Sequence, residues 1–272
     1  MSLSQAEVFA HDGARLRYWI DGPPGAPLVV FCHGATADHT MFDGQLPAVI
    51  ARYRMLRWDM RGQGASRPAH PRFSCARAAA DLAALLDHLG EDQVAVVGQS
   101  IGGNVGQDFI FCWPERCAAA LFLGCTCSTA PLNWVERLLL KITPAMLAAY
   151  PLGALRSAAA SGAAVTRGAQ ERYLAMLSPL SKAEIVAIFS QIVRGLHPQP
   201  GYHIACPILI AYGAKDHLGN IQRAAAPWAA RDGAPPPVVI PRAGHLANMD
   251  NPQAFNRLMM DFLAERYPVP GG

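Results

Sequence analysis

The stretch that decides the fold is Val94-Ala95-Val96-Val97-Gly98-Gln99-Ser100-Ile101-Gly102-Gly103. The apolar run at its start is typical of a strand buried on both faces, and a helical pattern begins at Gly102. A strand that turns sharply into a helix needs small residues beside the turn and holds the central side chain in a strained position. Ser100 is therefore a candidate nucleophile, held beside a helix N-terminus where negative charge is favoured. An incidental serine in a glycine-rich turn is the alternative interpretation.

Other segments extend this arrangement along the chain. Asp12-Gly13 separates two short β-prone runs and predicts a hairpin. The helical pattern at Phe73–Leu89 ends before Gly90, a predicted C-cap, and Pro252–Arg266 has proline in its first turn. Strands that alternate with helices predict an α/β fold with a mostly parallel sheet and helices on both faces. The further predicted strands of this sheet are Leu28–Cys32, Met55–Trp58, Ala119–Leu123, Ile208–Tyr212 and Val238–Ile240.

One segment interrupts the alternation. Residues 128–200 contain Ala- and Leu-rich helical pieces punctuated by prolines, and no convincing strand. The segment is too long for a loop, so it is predicted to be a helical cap inserted over one end of the sheet. The expected division is a core domain of residues 1–127 and 201–272 and a cap of residues 128–200.

Two residues later in the chain provide the partners that a serine nucleophile needs. A hydroxyl is a poor nucleophile at neutral pH until a base takes its proton and a third group orients that base. Asp216 follows the strand Ile208–Tyr212, and His245 follows the last strand. The order serine, acid, histidine is that of nucleophiles on a strand–helix turn. Because the carboxyl ends of parallel strands meet at one edge, Ser100, His245 and Asp216 are predicted to form a catalytic triad.

The oxyanion formed during acyl transfer needs two backbone N–H donors. Ile101 directly follows the candidate nucleophile and is expected to supply one. The second is expected from Ala35, in the His33-Gly34-Ala35 loop after the strand Leu28–Cys32. His33 is interpreted as a residue that shapes this loop rather than as a catalytic base.

These pieces together resemble the α/β-hydrolase superfamily over nearly the whole chain. They are His33-Gly34, the segment Asp59–Ser66 (DMRGQGAS), the serine turn, the Gly213–Asp216 loop and Gly244-His245. The spacing is similar to that of small esterases and 3-oxoadipate enol-lactonases with a helical cap. The resemblance implies an eight-stranded, mostly parallel sheet with the cap inserted after the sixth strand. It also implies that Asp59 and Arg61 are mainly structural.

The expected activity is hydrolysis of a fairly apolar carboxylic ester or lactone through an acyl-enzyme, without a metal or an organic cofactor. Superfamily members that attack with an aspartate, such as haloalkane dehalogenases and epoxide hydrolases, are excluded because Ser100 occupies that position. A carbon–carbon bond hydrolase and a cofactor-free perhydrolase remain open because they use the same serine. A non-catalytic receptor of this fold is the third alternative.

The substrate is expected between the cap and the sheet edge, in a pocket with a mainly apolar lining. The predicted substrate-binding residues are Met41, Phe42, Trp134, Leu138, Met146, Phe189, Leu218 and Leu246.

Composition limits the binding partners and the cellular location that we expect. The 272 residues carry a net charge of +3 with no basic run, so neither a nucleic acid nor a membrane is an expected partner. The first ten residues do not resemble a signal peptide. The seven cysteines have neither disulfide-scaffold nor zinc spacing and are expected to be reduced thiols. The sequence thus predicts a cytoplasmic monomer or homodimer that acts on a small ester or lactone.

Overall fold

The computed structural model describes residues 4–70 and 72–270, and this part of the chain forms a sheet of eight strands. The strands are β1 (Glu7–His11), β2 (Ala14–Asp21), β3 (Leu28–Cys32), β4 (Arg54–Asp59), β5 (Val94–Gln99), β6 (Cys117–Leu123), β7 (Ile208–Gly213) and β8 (Val238–Ile240). Their order in the sheet is β1-β2-β4-β3-β5-β6-β7-β8. β2 runs antiparallel to β1 and β4, and every other neighbouring pair is parallel. The predicted α/β fold with a mostly parallel eight-stranded sheet is confirmed.

Helices connect most of these strands. They are α1 (Leu46–Val49), α2 (Cys75–Leu89), α3 (Ile101–Cys112), α4 (Trp134–Ala149), α5 (Leu152–Ala163), α6 (Arg167–Leu177), α7 (Lys182–Arg194), α8 (Ile221–Arg231), α9 (Ala247–Asp250) and α10 (Pro252–Arg266). α2 begins two residues later than the pattern predicts, because the Ser74 side chain accepts a hydrogen bond from the Arg77 N–H and caps the helix there. Gly90 ends α2 in the left-handed conformation, as expected.

The core lies around the central strands. Every residue of β3 and of β5 is buried, and since side chains alternate along a strand, both faces of the sheet must be covered there. α3 packs on β3, β5 and β6, while α8 packs on β7 and α10 on β6. The hairpin predicted at Asp12-Gly13 joins β1 to β2.

The four helices α4 to α7 occupy the connection between β6 and β7. The chain leaves and re-enters the core at neighbouring points, since the His197 N–H donates to the Ser128 carbonyl at 2.9 Å and the Gln199 N–H to the Thr129 carbonyl at 2.8 Å. These bonds lie beside the predicted cap boundaries at residues 128 and 200. An ion pair between Arg67 and Glu184 at 3.0 Å is one of the contacts between this insertion and the core.

Within the described residues, no single helix is both long and apolar enough to cross a membrane. One bent pair, Arg167–Leu177 with Lys182–Gln191, meets the length and composition requirement when its two helices are taken together.

Candidate active site

Ser100 lies at the turn between β5 and α3 and has an unusual backbone conformation. Its φ is 53° and its ψ is −125°, a combination that costs free energy in a residue with a side chain. Its N–H donates to the Leu123 carbonyl at 2.9 Å, which ties the turn to the end of β6. A Cβ added at Gly102 would overlap the Cys32 carbonyl oxygen, so glycine allows the start of α3 to lie against the loop after β3. The hydrogen bond to Leu123 and the close packing of Gly102 on Cys32 therefore hold Ser100 in its strained conformation.

His245 and Asp216 meet beside this turn. The His245 Nδ1 lies 2.9 Å from the Asp216 Oδ2, and both residues are buried. The other oxygen of Asp216 accepts from the Leu218 N–H at 3.1 Å, which fixes the orientation of the carboxylate. Asp216 is not a helix cap, because α8 begins at Ile221. Because the Asp216 carboxylate can only accept a hydrogen bond, the His245 Nδ1 carries the proton. The Nε2 atom therefore keeps a lone pair with which His245 can act as a base.

Gly124, at the end of β6, leaves room for this pair. Its φ is +55°, and an added Cβ would lie 3.2 Å from both the Asp216 Oδ2 and the His245 Nδ1. Such a contact is tighter than an ordinary van der Waals distance, so a side chain here would displace one partner of the pair.

Gln99, the residue before Ser100, connects the serine turn to His245. The Gln99 Nε2 donates to the His245 carbonyl at 3.0 Å, and the Gln99 side chain also lies against Gly34. In the described part of the chain, no hydrogen bond joins the Ser100 hydroxyl to the His245 ring. Catalytic hydrogen bonds commonly close only when substrate is bound, so this geometry is compatible with a nucleophile–base pair.

Gly102 allows the start of α3 to lie against the loop after β3, and the two predicted oxyanion donors lie on these two segments. Ile101 is the first residue of α3, where the N–H has no acceptor within the helix. The Ala35 N–H donates to no protein acceptor among the described residues. Two N–H groups without protein partners at one sheet edge suit an oxyanion site.

The Ala35 loop is held by residues from two other segments. Thr36 has a φ of +60°, and its N–H donates to the Gln63 Oε1 at 2.7 Å. The Tyr173 hydroxyl, from α6, lies 2.9 Å from the Thr36 Oγ1 and donates to the Ala35 carbonyl at 3.1 Å. Burial raises the pKa of Tyr173 to about 12, so the phenol keeps its proton at neutral pH.

His33 is fully buried and lies beneath this loop. The Met60 N–H donates to its Nε2 at 3.0 Å, so the Nδ1 carries the proton and donates to the Gly34 carbonyl at 2.8 Å. Burial lowers the pKa of His33 below its ordinary value of 6.5, which favours this neutral ring. With both nitrogens occupied, His33 has no lone pair available to act as a base on substrate.

The segment Asp59–Ser66 makes structural contacts. Asp59 accepts hydrogen bonds from the His39 N–H and the Ala65 N–H, both at 2.6 Å. Arg61 forms a fully buried ion pair with Asp81 at 2.5 Å. These contacts occupy the Asp59 carboxylate and much of the Arg61 guanidinium, which agrees with the structural role that the resemblance implies.

The predicted substrate-binding residues are divided between the core and the surface. Met41, Phe42 and Leu246 are buried, and the Met41 Sδ accepts from the Gly34 N–H at 3.4 Å. Phe189 is half-buried on α7. Those that prove to be exposed are Trp134, Leu138, Met146 and Leu218.

Of these exposed residues, the three on α4 are not enclosed by the protein, and their role in substrate binding stays a prediction. No residue of α4 is buried, and the helix packs mainly on α7. The apolar pattern of the α4 sequence looks like that of a core helix, but the side that it implied to be covered faces solvent.

Three residues that the sequence analysis missed support the site. Gln99 precedes the candidate nucleophile and could have been found from its position alone. Tyr173 is far from the motifs in sequence, whereas Asp250 lies five residues after His245. Asp250 accepts from the Gly244 N–H at 2.8 Å, and also from the Val165 and Thr166 N–H groups at 3.0 and 2.8 Å. It therefore fastens the start of α6 to the loop that carries His245.

All seven cysteines are unpaired. Among residues 4–70 and 72–270, no group of three His, Cys, Asp or Glu side chains is arranged to hold a metal ion.

Comparison with known proteins connects this geometry to a family. The sequence model of the alpha/beta hydrolase family matches residues 29–258. A relative named putative carbamate hydrolase RutD, from Klebsiella pneumoniae strain 342, is 27% identical over an alignment of 270 residues. The alignment covers 90% of this chain and 94% of the relative. A hydrolase from Pseudomonas aeruginosa PA01 superposes with a TM-score of 0.81 at 25% identity, covering 95% of this chain and 98% of its own. The enol-lactonase from Burkholderia xenovorans LB400 superposes with a TM-score of 0.78 at 22% identity, covering 95% of this chain and 100% of its own.

Proposed function

This chain belongs to the alpha/beta hydrolase family, and from that premise we propose that it is a serine hydrolase that cleaves a fairly apolar carboxylic ester or lactone. The observation that carries the proposal is the buried contact of 2.9 Å between His245 and Asp216, beside a serine whose φ of 53° holds it at a strand–helix turn. An acid, a base and a strained serine at one sheet edge are the parts that acyl transfer requires.

The first chemical step forms the acyl-enzyme. The His245 Nε2 takes the proton of the Ser100 hydroxyl while the oxygen attacks the substrate carbonyl carbon. The carbonyl oxygen becomes an oxyanion that accepts from the N–H groups of Ile101 and Ala35. His245 then gives its proton to the leaving alkoxide oxygen, and the alcohol departs. In a lactone the released hydroxyl stays attached to the acyl group.

The second step returns the enzyme to its starting state. His245 takes a proton from water, the hydroxide oxygen attacks the acyl carbon, and the Ser100 oxygen leaves with the proton that His245 returns. Asp216 remains an anion throughout. Its oxygen holds the proton on the His245 Nδ1 and stabilises the imidazolium that forms in each step. All protons in this cycle move between the substrate, water, Ser100 and His245.

The relatives bear on the choice of substrates for an assay. The name of the carbamate hydrolase relative refers to a substrate whose carbonyl carbon is bonded to heteroatoms, as it is in an ester or a lactone. The enol-lactonase, at 22% identity, supports the fold alone. An assay panel should therefore contain lactones, p-nitrophenyl esters and carbamates, together with vinylogous diketones and peracid formation for the two alternative chemistries.

A covalent label tests the proposal directly. A fluorophosphonate probe should label the wild type, and mass spectrometry should place the adduct on Ser100. Ser100→Ala should lose the label and the hydrolysis of p-nitrophenyl esters while keeping its circular dichroism spectrum. Ser161→Ala is the matched control, because this exposed serine lies in the insertion. Labelling that persists in Ser100→Ala would refute the nucleophile assignment.

A further inference from the structure

The helix α4 exposes a continuous apolar face. Its members are Trp134, Val135, Leu138, Leu139, Ile142 and Met146, with Tyr150 directly after the helix, and we call this set the α4 apolar face. Trp134 is 72% exposed, and Leu139 and Met146 are each 54% exposed. On a helix, residues three and four positions apart are neighbours, so these side chains form one surface along the whole length of α4. Contiguous exposed apolar surface of this kind marks an interaction site.

The attachment of α4 to the protein does not use this face. Leu140, Thr143 and Leu147 are half-buried and lie on the opposite side of the helix, where α4 packs on α7. An Asn133–Glu136 capping box begins the helix. The folding of α4 therefore does not account for the apolar residues that face solvent.

Positive charge borders the face on one side. Arg137 and Lys141 are both exposed, and one helical turn separates them. No carboxylate of the described residues lies within 4.0 Å of either side chain. The only acidic residue of α4, Glu136, is bonded to Asn220 and to Arg223 and lies on the other side of the helix. The border of the α4 apolar face is thus basic and free of neutralising partners.

We propose that the α4 apolar face docks on an anionic lipid surface. A helix with Trp and Leu on one face and Lys or Arg at the border lies in the plane of a lipid interface, with its apolar side among the acyl chains. The long stems of Arg137 and Lys141 allow their charged ends to reach lipid phosphates beside the buried apolar residues. Anionic phospholipids supply the negative charge that these two residues lack within the protein.

A second copy of the chain suits the face less well. A symmetric dimer would pair the same surface on both subunits. Lys141 lies at the middle of α4, so packing the helix on itself about its midpoint would bring two Lys141 side chains together with no carboxylate nearby. Charge therefore favours lipid over self-association. The expectation of no membrane partner rested on the lack of a spanning segment or basic run, and it did not consider an exposed apolar helix face.

Sedimentation with vesicles tests the proposal without any substrate, so its outcome is independent of the proposed hydrolase activity. The full chain should sediment with vesicles of phosphatidylcholine mixed with phosphatidylglycerol, and much less with phosphatidylcholine alone. Replacing Arg137 and Lys141 by Gln should weaken binding by about fivefold for each basic residue. Leu138→Glu combined with Leu139→Glu should reduce binding by more than about tenfold, because two exposed leucines leave the acyl region. Val239→Glu is the matched control, since Val239 is 46% exposed on β8, away from α4.

A spectroscopic measurement keeps the test valid if the double glutamate variant fails to fold. The tryptophan emission of the wild type should shift to shorter wavelength on anionic vesicles, and Trp134→Phe should lose that shift. The proposal is overturned if the wild type binds neither vesicle or if the double variant binds as well as wild type. It is also overturned if light scattering shows a dimer that the double variant dissociates while vesicles are not bound, because a second copy then covers the face.

Discussion

The hydroxyl of Tyr173 lies 2.9 Å from the Oγ1 of Thr36, and this contact connects the inserted helices to the proposed oxyanion loop. Thr36 has a φ of +60°, and the same phenol donates to the Ala35 carbonyl at 3.1 Å. The insertion is therefore part of what holds the Ala35 N–H in its position. A residue of α6, far from the triad in sequence, thus supports the proposed catalytic geometry.

Tyr173→Phe should lower kcat and leave KM nearly unchanged. The substitution removes hydrogen bonds worth about 1 kcal/mol, and if the transition state depends on the Ala35 position, kcat should fall by about fivefold to tenfold. Tyr53→Phe is the matched control, since the buried Tyr53 phenol also donates to a carbonyl, that of Tyr267, at 3.1 Å. Both variants should lose similar stability in urea, but only Tyr173→Phe should lose kcat. Equal kcat in the two variants would assign Tyr173 a structural role alone.

Asp216→Asn should lower kcat by about 10⁴-fold while the fold stays intact. An amide can donate to the His245 Nδ1 and stabilise the wrong tautomer, which places the proton on the nitrogen that must act as the base. The measurement is the single-turnover rate with a p-nitrophenyl ester. Asp261→Asn, an exposed change on α10, should keep the wild-type rate. A loss of less than about tenfold in Asp216→Asn would mean that His245 does not need this carboxylate.

Asp250→Ala should reduce stability and activity together. It leaves the N–H groups of Gly244, Val165 and Thr166 without their acceptor. Gly244 is buried, so its unsatisfied donor costs about 1–3 kcal/mol, whereas water can reach the N–H of the exposed Val165. Thr166→Ala removes only the hydroxyl that bonds to Asp250 at 2.7 Å, so it serves as the milder comparison. Urea midpoints and kcat measured on both variants should show the larger loss in Asp250→Ala. If its kcat is unchanged, the Gly244–Asp250 bond has no part in placing His245.

Because His33 is buried, we expect the free energy of unfolding to fall as the pH drops below about 6.5. Burial lowers the pKa of His33 in the folded chain, so the unfolded chain binds more protons in this range. Stability therefore rises with pH there and is complete above the unfolded pKa. His33→Gln keeps a neutral donor and acceptor, so its urea midpoint should change less between about pH 7.5 and about pH 5.5 than that of the wild type. The other histidines are the same in both proteins. If the urea midpoints of wild type and His33→Gln change equally with pH, His33 is not the cause of the pH dependence.

Much of the site could be predicted because its parts are local patterns placed by a regular fold. Ser100, Asp216 and His245 each follow an apolar run, and a parallel sheet brings the ends of such runs to one edge. Gly90 and Pro252 mark helix ends through their own backbone preferences. The contacts of Tyr173 with Thr36 and of Asp250 with Thr166 join residues widely separated in sequence. They depend on how the insertion packs on the core, and no local pattern encodes that packing.

The exposure of α4 could not be predicted, for a related reason. A helical apolar pattern shows which residues share a face and does not show what covers that face. Trp134 and Leu138 were proposed as pocket residues because they are apolar residues of a cap predicted to lie over the sheet edge, and the sequence does not show which side of the helix faces that edge.

The paired bonds from His197 to Ser128 and from Gln199 to Thr129 also bear on how such enzymes can be rebuilt. Because the chain departs and returns at adjacent positions, we expect that the intervening helices can be exchanged as one cassette if the contacts of Tyr173 and Thr166 with the core are replaced. A short linker between these two points would give a minimal core, and a foreign cassette would carry its own replacement for Tyr173. The two splice positions thus define a natural place for grafting new substrate preferences onto an unchanged catalytic sheet.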